Sequence, residues 1–84
     1  MPKIKWTKTF EKRFAKLPQS IKETTYTKLD LLIANRAHPS LRLEKLTEKI
    51  WAFSVTMNYR VTFQYDNGDI LLRKIGTHDI LRNP

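Results

Sequence analysis

The sequence contains no cysteine, only two glycines and four prolines in 84 residues, and no apolar run near the roughly 18 residues of a membrane helix. Without cysteine there is no disulfide framework of the kind that staples small secreted modules. So little glycine and proline excludes collagen-like and low-complexity chains. Metal ligands are scarce: His38 and His78 lie in different segments, with no carboxylate at ligand spacing, so no metal site is expected. Gly-rich phosphate loops and Gly-x-Ser-x-Gly elements are also missing, and no cofactor is expected. The opening stretch through Phe14 carries charges but no continuous apolar region behind them, unlike a secretory signal. These absences predict one small domain over residues 1–84, cytoplasmic and without membrane association.

Negative charge is in short supply as well. Sixteen Lys and Arg face eight Asp and Glu, for a net charge of +8. The first 49 residues hold twelve of the cations and five of the acids, and residues 50–84 the remaining four and three. The excess belongs to the first part of the chain, and such a field attracts polyanions, either nucleic acid or an acidic protein. The alternative use of the lysines is simply to keep the domain dispersed.

The apolar pattern changes period along the chain. Ile4 and Trp6 alternate with Lys3 and Lys5, which predicts a short edge strand guarded by lysines. Thr7 or Thr9 can cap a first helix whose stripe is Phe10, Phe14 and Leu17. Pro18 ends it and suits the start of a second helix, striped by Ile21, Thr25, Leu29, Leu32 and Ile33 and running to about Asn35. After a polar connection the period becomes two: Trp51, Phe53 and Val55 form one apolar face, and Tyr59, Val61, Phe63 and Tyr65 another. Asp66-Asn67-Gly68 predicts a tight hairpin leading to a last strand from Asp69 to Ile75. The expected architecture is α+β: a short N-terminal strand, a two-helix hairpin, then a three-stranded antiparallel meander covered on one face by the helices.

Arg60 lies on the polar side of a strand whose other side is aromatic and β-branched. Its setting is distinctive in combination: Trp51, then Asn58-Tyr59-Arg60-Val61-Thr62-Phe63, the Asn-Gly hairpin, and Gly76-Thr77-His78-Asp79. With Phe10 through Leu17-Pro18, Pro39 and Leu46 ahead of them, these residues resemble, over essentially the whole chain, the RelE/ParE superfamily of bacterial toxins from type II toxin–antitoxin systems. The resemblance implies a RelE-like fold and, as in the RelE, YoeB and YafQ members, a ribosome-dependent endoribonuclease that cleaves mRNA and inhibits translation. It also implies a cognate acidic antitoxin, and contact with operator DNA only through the antitoxin complex. Arg60 matches the arginine that contacts the scissile phosphate, a role suited to a permanently charged, planar guanidinium. His78 matches a histidine that protonates the departing 5′ oxygen, within reach of imidazole chemistry at cellular pH. The implied reaction is metal-independent attack of a ribose 2′-OH on the adjacent phosphorus, giving a 2′,3′-cyclic phosphate and a 5′-OH.

Three departures leave the general base unassigned. The RelE branch has lysines on the strand holding Trp51, whereas this chain has Trp51-Ala52-Phe53-Ser54-Val55. Ser40 stands near the place of a glutamate base used by other members, and Leu81 and Arg82 where a closing tyrosine is common. Lys45, Glu44 and Lys74 are the candidates for the base, and Arg42, Arg73 and Arg82 for contacts with RNA phosphates. Two alternatives stay open: a ParE-like inhibitor of DNA gyrase that performs no chemistry, and a non-catalytic remnant that binds RNA or antitoxin.

Overall fold

The two sequence periods become a layer of helices on a sheet. The computed structural model describes residues 2–84. Strand β1 (Ile4–Trp6) leads into helix α1 (Lys8–Ala15) and helix α2 (Gln19–Ala34). A 3₁₀ turn, Pro39–Leu41, precedes strands β2 (Glu44–Lys45), β3 (Ile50–Ser54), β4 (Arg60–Asp66) and β5 (Asp69–Gly76), and a second 3₁₀ turn, His78–Leu81, follows them. The sheet order is β1-β5-β4-β3-β2.

Local chemistry sets most of these boundaries. The Thr7 hydroxyl accepts from the Phe10 amide at 3.2 Å, closing the first turn of α1, and donates to the Leu72 carbonyl at 2.9 Å, which ties the cap to β5. Pro18 stands at the N-cap of α2, where a residue without N–H loses nothing. Asn67 and Gly68 both have positive φ, as the two-residue turn between β4 and β5 requires. Thr25, in the apolar stripe of α2, is fully buried, and its hydroxyl donates to the Ile21 carbonyl at 2.7 Å, so no polar atom is stranded.

One core joins the helices to the sheet: Phe10, Phe14, Leu29 and Leu32 meet Phe53, Val55, Val61, Phe63, Ile70, Leu72 and Ile75. Trp6 sits edge-on to Phe10 and Phe14 at 4.9 and 5.0 Å between ring centroids, and the two helices touch through Phe14 and Tyr26 at 5.5 Å. No helix of the described residues is long and apolar enough to cross a membrane.

Three features depart from the sequence reading. First, β1 is an edge strand as expected, but it pairs parallel to β5 (Ile4 opposite Ile70, Trp6 opposite Leu72), so the sheet is mixed. Second, the polar connection holds an additional edge strand, β2, antiparallel to β3. Third, the β4–β5 register slips between Thr62 and Phe63: Thr62 faces Lys74 while Phe63 faces Leu72, which leaves Arg73 as the extra residue of a bulge. The bulge resolves an awkward sequence. Leu72 and Ile75 are three apart, yet both are buried in the core, because the extra residue resets the alternation between them.

At the β1–β5 edge, Asp69 accepts from the Lys3 amide at 2.9 Å and lies 3.5 Å from the Lys5 ammonium. The backbone hydrogen bond from Lys3 outweighs an opposing desolvation and, with the Lys5 charge adding to it, holds the carboxyl below the ordinary aspartate value. The folded-state pKa is thus the lower one, so the stabilisation is present above the ordinary aspartate pKa and is lost as pH falls through the folded one. We expect β1 amide protection in hydrogen exchange to fall as pH drops through that window, and Asp69→Asn to remove this dependence. An unchanged pH profile in Asp69→Asn would show that the edge is held by other groups.

A candidate active site on the open face of the sheet

Strand alternation places the polar residues of β3, β4 and β5 on the face away from the helices. Two cross-strand rows organise this face: Glu44, Ala52, Thr62 and Lys74 form one, and Ser54, Arg60 and Gly76 the next. Neighbouring strands lie about 4.8 Å apart and successive residues of one face about 6.6 Å apart, so these side chains share one small area.

Arg60 is its centre. Its side chain is 14% exposed and donates from Nη2 to Glu44 Oε1 at 2.8 Å, while the Glu44 side chain is 47% exposed. The Arg60 Nε–H is buried and has no hydrogen-bond partner among the described residues. A buried guanidinium N–H without an acceptor is costly. Arg60 is oriented by one carboxylate through Nη2, and its other outer nitrogen, Nη1, is not used by that contact.

The other expected site residues fall into two groups. Lys74 lies on the open face, and its Nζ donates to the Asn83 carbonyl at 2.6 Å. Arg73 joins this side through the bulge, with Nη1 2.7 Å from Gln64 Oε1 and Nε 3.2 Å from the Pro84 main-chain oxygen. His78 is exposed in the turn that begins two residues beyond Gly76, the cross-strand partner of Arg60. Arg82, also exposed, closes the same turn. Lys45 does not join them. It is paired with Trp51 on the helix-covered side, its ammonium 5.8 Å from the indole, because it follows Glu44 by one position and strand side chains alternate. Arg42 sits apart, in a left-handed conformation with φ 47°, on the rim of a cleft of about 250 Å³. Lys28, Ser40, Ser54 and Thr56 also line that cleft, and Ser54 connects it to Arg60 by register.

Gly76 is required by close approach rather than by backbone angle. A Cβ there would come within 2.9 Å of Ile80 Cγ2 and 3.4 Å of an Arg13 guanidinium nitrogen. The turn carrying His78 thus folds tightly back over the end of β5, seated by buried Ile80.

Sequence reasoning missed Thr62, Ser54, Lys28 and the last two residues. Thr62 is fully buried although it lies on the open face, and its hydroxyl donates to the Pro84 main-chain oxygen at 3.3 Å. The polar alternation of β4 through Arg60, Thr62 and Gln64 was the signal for Thr62, whereas no side-chain pattern announces a tail that binds through its backbone.

A small basic domain of two helices on a mixed sheet, with an arginine–glutamate pair in the open face, defines the class. Residues 4–81 match the model of the ParE toxin of type II toxin–antitoxin systems. The chain belongs to this family and is the toxin of such a system, within the RelE/ParE superfamily. Solved structures share the fold at low identity. A YoeB dimer from Staphylococcus aureus superposes with a TM-score of 0.76 at 13% identity, covering 92% of this chain and 97% of that one. YafQ from E. coli gives 0.76 at 17%, over 96% and 98%, and the archaeal RelE–RelB complex from Pyrococcus horikoshii 0.74 at 18%, over 90% and 93%. No curated protein sequence matches the chain significantly.

Proposed function

We propose that the protein is an endoribonuclease that cleaves mRNA on the ribosome, and that a cognate acidic antitoxin restrains it. The observation that carries this reading is the Arg60–Glu44 pair: a largely buried guanidinium with an unsatisfied Nε–H, beside an accessible carboxylate, in a face hemmed by further cations. A phosphodiester placed against Arg60 accepts from the outer Nη–H donors of the guanidinium, beside the contact with Glu44. The guanidinium then stabilises the charge that grows on the phosphoryl oxygens as the 2′ oxygen attacks. Glu44 takes the 2′-OH proton, the P–O5′ bond breaks, and His78 gives a proton to the departing 5′ oxygen. Glu44 is preferred to the other candidate bases because Lys45 is on the wrong side of the sheet and the Lys74 ammonium, a donor in its contact with Asn83, has no lone pair to take a proton. Arg42 and Lys28 around the neighbouring cleft, and Arg82 in the His78 turn, extend the cationic surface for flanking phosphates. The P. horikoshii RelE relative was solved bound to RelB, and an E. coli YafQ relative bound to DinJ, which supports a protein antitoxin for this chain too.

The test is to mix the protein with ribosomes carrying a defined mRNA and to map the 5′ ends produced. Cleavage in the A site, reduced by about 10²- to 10⁴-fold in His78→Ala and in Glu44→Gln, is the expected result. Intact mRNA would sink the nuclease reading. The second reading, a gyrase inhibitor without chemistry, is favoured by the match to the ParE model and by Ala52 and Ser54 standing where RelE-type lysines are expected. In that case supercoiling by gyrase is blocked equally by the protein and by His78→Ala.

A further inference from the structure

The donors of Thr62, Arg73 and Lys74 converge on two successive main-chain oxygens. Thr62 Oγ1 and Arg73 Nε reach the Pro84 oxygen at 3.3 and 3.2 Å, and Lys74 Nζ reaches the Asn83 carbonyl at 2.6 Å. Two cations and a hydroxyl gathered on adjacent oxygens is the donor set that binds a phosphodiester. Neither Arg73 nor Lys74 has an Asp or Glu partner among the described residues. The site was built, moreover, by the β-bulge: without the extra residue, Arg73 and Lys74 would point to opposite faces. Thr62 is buried beneath the tail, one same-face step from Arg60.

We infer that Thr62, Arg73 and Lys74 form a phosphate-binding site for the RNA backbone next to Arg60, and that the Asn83–Pro84 oxygens hold it closed until RNA displaces them. The inference rests on the RNA-cleaving reading and adds to it a second phosphate position and a competition. A phosphodiester offers its two free oxygens to all three donors at once, and so competes with the main-chain oxygens that hold them. The tail lowers apparent affinity by the fraction of time that it occupies the site.

The probe is a short, uncleavable 2′-O-methyl RNA, so the experiment reports binding and not chemistry. Titrated into the intact ¹⁵N-labelled chain, it should shift the Thr62, Arg73 and Lys74 amides and move Asn83 to sharp, random-coil resonances. A chain ending at Leu81 should bind the same RNA about five- to tenfold tighter, as expected if the tail leaves the site open 10–20% of the time. Arg73→Gln with Lys74→Gln should erase that gain. RNA that binds while Asn83 stays in place overturns the inference, whether or not the shortened chain folds. So does a folded shortened chain with unchanged affinity. If mRNA is nevertheless cut on the ribosome, only the tail competition has failed. If the RNA does not bind at all, this inference falls, and cleavage on the ribosome alone decides the nuclease reading.

Discussion

Arg60→Ala should lower cleavage by about 10²- to 10³-fold, the usual loss when one preorganised donor to a transition-state oxyanion is removed. The same substitution should leave the fold nearly intact. Glu44, the partner it loses, is 47% exposed on its side chain and can be hydrated in place, so no charge is left stranded in the interior. Removing the pair should cost about 1 kcal/mol or less, read as a small change in the urea midpoint. Arg60→Lys sharpens the test. It keeps the positive charge but loses the planar fork that can hold Glu44 and a phosphate together, so it should recover only a small part of the activity. If Arg60→Ala cleaves at the parental rate, the guanidinium is a surface charge. If it unfolds the protein, the arginine is structural, and the site must be placed elsewhere.

Phe53→Ala should do the reverse, costing about 3–5 kcal/mol of stability. Phe53 is fully buried on β3, 5.8 Å between ring centroids from Phe63, and it lies on the side opposite Arg60. A domain of this length has roughly 4–13 kcal/mol in total at about 0.05–0.15 kcal/mol per residue. The truncated chain should therefore be close to unfolding at 25 °C. Phe53→Leu fills most of the space and should retain most of that stability. A Phe53→Ala chain with an unchanged urea midpoint would mean that the core collapses around the gap, contrary to the packing described.

The sequence made the helices, the apolar faces of β3 and β4 and the Asn-Gly turn legible, because each is a local pattern: a cap, a stripe or an alternation. What it concealed depends on distant partners. Glu44-Lys45 is too short and too charged to announce a strand, and becomes one only by pairing with Ala52 and Trp51. The parallel pairing of β1 joins residues 66 positions apart, so nothing near Ile4 specifies it. Leu71-Leu72-Arg73-Lys74 breaks the strand alternation, which is the one visible hint of the bulge. In the candidate site, Arg60 stood out as the cation on the polar side of an otherwise apolar strand. Glu44 and Lys45 could not be told apart until β2 existed, since adjacent strand residues face opposite ways.

The placement of β1 bears on how the toxin is born. The first strand to leave the ribosome pairs with the last strand to be made, and Thr7, which caps α1, needs the Leu72 carbonyl as its acceptor. The core cannot close, nor can the Gly76–His78 turn seat against the sheet, until nearly the whole chain has emerged. The pairing that completes the sheet thus comes last in synthesis, and folding of this small domain waits on its most distant contact.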